Sequence, residues 1–135
     1  MGNDKLDALG PLYADLGGEL ARIVGGDPDG IFLYAEAGEG WVGASVFKDE
    51  GDVVRYFDPS PAVCELLMQA RQTENLDSRM RWSVMNYEIN GTRFKTKFSY
   101  PDQIEVESFD IERREAALNA RFGDKPVIYP PPPRR

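Results

Sequence analysis

The chain has no histidine. This removes the commonest general base and metal ligand, and with it any Ser-His or Cys-His nucleophile pair. It has one cysteine, Cys64, so an intrachain disulfide framework is excluded and a structural zinc site lacks its usual four Cys or His donors. Cys64 falls within an apolar helical pattern, which favours a buried thiol in a reducing compartment. No apolar run approaches the roughly 20 residues needed to span a bilayer, so no membrane partner is expected. Met1 to Leu9 is acidic and lacks the basic and apolar regions of a signal peptide, and the expected location is cytoplasmic. A phosphate-binding glycine loop is also missing, because Gly38-Glu39-Gly40 reads as a hairpin turn between strands. No catalytic residue, metal site or cofactor is therefore expected.

What the chain does have is acidity. Its formal charge is -7 over 135 residues, and the charge is unevenly placed. Asp27 to Asp58 holds eight acidic residues against Lys48 and Arg55, and Asp102 to Glu112 holds five with no base. Arg81 to Lys97 reverses the balance, with four basic residues and Glu88. An acidic surface disfavours direct nucleic-acid binding and favours a protein partner with a basic surface, although acidity also serves solubility alone.

The clearest local signal is Asn90-Gly91 between two alternating runs, which predicts a β-hairpin over Arg81 to Tyr100. A type I′ turn at these two residues pairs Ile89 with Thr92, Tyr87 with Phe94, Met85 with Thr96 and Ser83 with Phe98. Tyr87, Ile89, Phe94 and Phe98 then face the core, and Lys95 and Lys97 face water. The aromatic residues point away from the lysines, so the strand is a solvated basic strip and not a base-stacking platform.

Leu9, Leu12, Tyr13, Leu16, Leu20 and Ile23 follow helical spacing, predicting a first helix from near Asp4 to Gly25-Gly26, bent or restarted at Gly10-Pro11. Ile31 to Ala37, Trp41 to Lys48 and Val53 to Phe57 read as a three-stranded meander. Ser60-Pro61 opens a second helix to about Glu74, with Val63, Leu66, Leu67 and Ala70 on one face. Asp110 caps a third helix carrying Ile111, Leu118 and Phe122 and ended by Gly123 and Pro126; its narrow stripe places it on the surface. The expected fold is a single α+β domain over residues 1–135, two-layered, in the order α-β-β-β-α-β-β-α. Its largely antiparallel five-stranded sheet carries the helices on one face. Residues 126–135 form a proline-rich C-terminal tail. Val127, Ile128 and Tyr129 pack on the domain, and the prolines formally match a PxxP ligand.

Paired carboxylates such as Glu36 with Glu39, or Glu105 with Glu107, are the residual route to metal binding or acid-base chemistry. With 23 acidic residues in the chain, chance proximity accounts for them. The same residues serve better as partner contacts. The expected patches are Glu36, Glu39, Asp49, Glu50 and Asp52, with Asp102, Glu105 and Glu107 as a second.

Three stretches together resemble the YezG-like family of small bacterial antitoxin or immunity proteins. They are Ile31 to Ala37; Trp82 through Asn90-Gly91 to Phe94, Phe98 and Tyr100; and Glu112-Arg113-Arg114 leading to Arg121-Phe122-Gly123-Asp124. The chain departs from the family pattern in having Asn119 or Ala120 where an aromatic residue often precedes the glycine motif, and in its proline tail. The resemblance implies a protein that neutralises a cognate toxin domain, a nuclease in many such systems, by direct binding and without chemistry of its own. The alternative is an acidic secretion-chaperone-like protein holding an effector segment along apolar grooves; such chaperones are dimeric, and the composition leaves a homodimer open.

Overall fold

The computed structural model describes residues 2–74, 81–104 and 110–130, with side chains omitted at 2–9, 74, 102 and 110. Three helices, α1 (Gly2–Val24), α2 (Pro61–Glu74) and α3 (Asp110–Phe122), accompany six strands. These are β1 (Ile31–Gly38), β2 (Trp41–Asp49), β3 (Val54–Phe57), β4 (Val84–Asn90), β5 (Arg93–Ser99) and β6 (Val127–Ile128). They form one sheet in the order β5-β4-β1-β2-β3-β6.

The α+β class fits, but three details correct the expectation. The sheet has six strands and is mixed, because Val127 and Ile128 pair in parallel with Val54 and Arg55. Two residues are too few to show any periodicity. The helices also cover both faces. On the first face α1 and α2 bring Leu16, Leu20, Val63 and Leu67 onto Leu33, Val46, Met85 and Tyr87. On the second, α3 brings Leu118 and Phe122 onto Phe32, Tyr34, Phe47 and Val84. Central strand β1 is therefore buried along both sides, from Ile31 to Ala37. Its uninterrupted Ile-Phe-Leu-Tyr-Ala run is the signature of a doubly covered strand, not of one with a wet face.

The hairpin is present with its register moved by two residues. Asn90 pairs with Arg93, Ile89 with Phe94, Tyr87 with Thr96 and Met85 with Phe98, leaving Gly91-Thr92 as the loop. Gly91 has φ 65° and no described non-glycine residue has positive φ. A type I′ turn needs positive φ at both central residues. A II′ turn needs it only at the first, which glycine supplies without steric cost. A shift of two preserves the faces, so Tyr87 and Ile89 are buried and Lys95 and Lys97 exposed as expected. Phe98 is half-buried, and Phe94 is exposed at the sheet edge although its ring stacks on Tyr87 at 5.2 Å.

Helix α1 runs through Pro11 without interruption. Gly10 and Pro11 both face solvent, where water can satisfy the carbonyl that proline leaves without a donor. Cys64 is half-buried, and burial pushes its thiol pKa up.

Candidate functional site

The carboxylates singled out from the sequence fall at two ends of the sheet. Gly38 pairs with Trp41 at one end of the β1-β2 hairpin and Ile31 with Lys48 at the other. Glu36 and Glu39 thus lie away from Asp49, Glu50 and Asp52. Asp102 sits in a short 3-10 turn, Pro101–Gln103; its side chain, and all of Glu105 and Glu107, lie outside the described residues.

Most of the described carboxylates have partners within the chain. Glu36 receives both Arg113 Nε at 2.9 Å and Nη2 at 2.7 Å, a two-point clamp across 77 residues of sequence. The Tyr34 hydroxyl donates to the same carboxylate at 2.5 Å. Burial first, and then this bond, hold the phenol protonated well above its ordinary range. Glu39, exposed on its turn, lies 3.4 Å from Arg71 and 3.6 Å from Arg81. Arg71 is buried and also donates to the Trp82 carbonyl at 2.8 Å. Asp49 receives Lys125 Nζ at 2.9 Å and the Gly51 amide at 2.9 Å, and these bonds lower its pKa, that from Lys125 most. Glu50 pairs with Arg55 at 3.0 Å. Asp52 is exposed and forms no ion pair among the described residues.

One end of the sheet does assemble an acidic surface. The α1-β1 loop brings Asp27 and Asp29 beside the β2-β3 turn with Glu50 and Asp52, and all four are exposed. The two loops are fastened together. The Asp49 amide donates to the Gly30 carbonyl at 3.1 Å, and Lys48 Nζ donates to the carbonyls of Asp27 and Asp29. The Gly91 amide donates to Asp29 Oδ1 at 2.6 Å, which adds the β4-β5 turn to the same end. Asp27 and Asp29 were counted in the acidic stretch of the sequence but not among its contact residues. Nothing local marks them, because the strand register brings their loop to Asp49.

A second feature lies on the α3 face, between the helix and the strands. A cleft of about 360 Å³ is lined by Tyr34, Glu36, Trp41, Ser45 and Tyr56 on the strands and by Ile111 and Arg114 on α3. Arg114 Nη1 donates to Ser45 Oγ at 3.2 Å. The Tyr56 hydroxyl is within hydrogen-bonding reach of both Asp58 and Ser45; burial first, and then Asp58, raise its pKa. Trp41 is 53% exposed. A Cβ at its cross-strand neighbour Gly38 would overlap the indole nitrogen, so the glycine leaves room for that ring.

Among the described residues no group of three or more Cys, Asp or Glu side chains could hold a metal ion, and no helix is long and apolar enough to cross a membrane. The sheet and its surfaces define an α+β domain whose exposed features include a charged sheet end and a cleft of mixed polar and aromatic lining. No family model matches the chain, and no curated protein matches it in sequence.

Proposed function

We infer that this chain is an immunity- or antitoxin-type binding protein of the YezG-like kind. It neutralises a cognate toxin domain with a basic surface, a nuclease in the simplest case, by direct protein-protein contact. The observation that carries this reading is the acidic sheet end, where Asp27, Asp29, Glu50 and Asp52 are exposed on loops bonded to one another. Preorganised carboxylates at a rim accelerate encounter with a basic partner and compete with nucleic acid for its cleft. Glu36, clamped by Arg113, and Asp49, held by Lys125, serve the fold, so the contact surface in this proposal moves to the exposed four.

The test is co-expression with the cognate toxin domain, sought among the genes adjacent to the one for this chain. Growth should be rescued, and Glu50→Lys with Asp52→Lys should slow association most at low salt while leaving the fold intact. Continued killing would remove the immunity role. Undiminished binding after the double reversal would remove its acidic site.

One observation favours the chaperone-like alternative. An apolar groove of about 380 Å³ lies between Ala14, Gly17, Gly18 and Ala21 of α1 and the hairpin residues Ile89 and Phe94. If the chain instead holds an extended effector segment there, Phe94→Ser will abolish binding and charge reversal will not.

A further inference from the structure

We propose that the cleft between α3 and the second face of the sheet is a binding site for a small planar organic acid, with the carboxylate on Arg114 and the ring between Trp41 and Tyr56. This inference does not depend on the protein's being an immunity protein.

The charge on the cleft wall selects the ligand's sign. Glu36, the one acidic residue among the described residues of the lining, is occupied by the bidentate Arg113 and the Tyr34 hydroxyl. It has little capacity left to attract a cation. Asp58 lies outside the lining and takes up the Tyr56 hydroxyl. Arg114 is different. Half-buried, it forms no ion pair among the described residues, and the hydrogen bond from its Nη1 goes to the neutral Ser45. A half-buried guanidinium on the cleft wall with no counter-charge among the described residues can take an anion, and a carboxylate is the acceptor whose geometry its fork matches.

The rest of the cleft selects a flat body. Trp41 and Tyr56 offer aromatic surface and Ile111 an aliphatic wall. The volume lies at the lower end of the range for small-molecule sites. Gly43, also lining the cleft, has nothing within 4 Å of where a Cβ would stand, so the space is open and can be filled by substitution.

Benzoate is the probe, with benzamide as its uncharged counterpart and acetate as the carboxylate without a ring. The indole N–H signals of Trp41 and Trp82 are followed in two-dimensional NMR. Trp82 is fully buried on the other face and reports folding. Benzoate should shift the Trp41 signal saturably and leave Trp82 in place, with benzamide and acetate each about tenfold weaker or worse. Arg114→Gln should weaken benzoate by a similar factor. Gly43→Val, whose Cβ has nothing within 4 Å and whose methyls narrow the cleft, should weaken benzoate binding with the Trp82 signal unchanged. Absence of a saturable shift with benzoate, equal binding of benzamide or acetate, or full binding by Gly43→Val would each overturn the proposal. If Arg114→Gln disturbs the Trp82 signal, the Gly43→Val and benzamide comparisons decide.

Discussion

The two faces of the sheet are closed by different forces. On the first, α1 and α2 lay a continuous set of aliphatic and aromatic side chains on the strands, and Leu20, Leu33, Val46, Val63 and Leu67 are all fully buried. On the second, α3 contributes one buried leucine, Leu118, and is fastened by charge. Arg113 clamps Glu36, Arg121 reaches Glu88 at 2.8 Å, and just beyond the helix Lys125 reaches Asp49 at 2.9 Å. Aromatic contacts help, with Phe122 edge-on to Phe32 at 5.8 Å. A helix that looks like a surface element by its hydrophobic stripe can thus cover a sheet face, if the strands beneath present carboxylates at the right register.

The largest effect should come from the apolar face. Leu67→Ala should cost about 2 to 5 kcal/mol in chemical denaturation, with little dependence on salt, since the loss is burial plus a cavity. A change below about 1 kcal/mol would mean that this face is loosely packed, against the central density expected of a core. Next is Glu36→Gln, which removes the charge that Arg113 clamps and should cost about 1.5 to 3 kcal/mol. Adding Arg113→Met should recover part of that loss, because replacing both members of a mostly buried pair is far less costly than removing one. Additive losses would show that the two side chains do not act as a unit.

The Asp49-Lys125 pair gives a pH signature on the acid side. The carboxyl pKa is lowered on folding, chiefly by the bond from Lys125. Its contribution is therefore complete above the unfolded value of about 4 and is lost as pH falls through the lower folded value. Asp49→Asn should flatten this part of the stability profile below pH about 4 and leave the rest unchanged. An unaltered acid slope would assign the dependence to other carboxylates. Smallest of all should be Glu50→Lys with Asp52→Lys, about 0.5 kcal/mol or less, because both side chains are exposed at a turn. A larger loss would make this end part of the scaffold.

The two faces also differ in how far they could be read in advance. Leu16, Leu20, Val63 and Leu67 repeat at helical spacing, and Tyr87 and Ile89 alternate on a strand, so the first face was legible from local pattern. Arg113 and Glu36 are an arginine and a glutamate far apart in sequence, each indistinguishable from a solvated charge. For that reason the expected contact patch included Glu36 and Asp49, which the structure commits to α3 and to Lys125. It omitted Asp27 and Asp29, which the register of β1 on β2 brings to the exposed end.

By itself the sequence determined the α+β class, helices α1, α2 and α3, the five longer strands and a turn at Gly91, because each depends on the period, caps and φ preferences of neighbouring residues. Only the tertiary structure decided which faces are covered, that β6 joins the edge beside β3, and which carboxylates remain available to a partner. Those outcomes depend on pairings between residues far apart in the chain. A carboxylate has the same local signature whether its counter-ion is water or an arginine arriving on a distant helix.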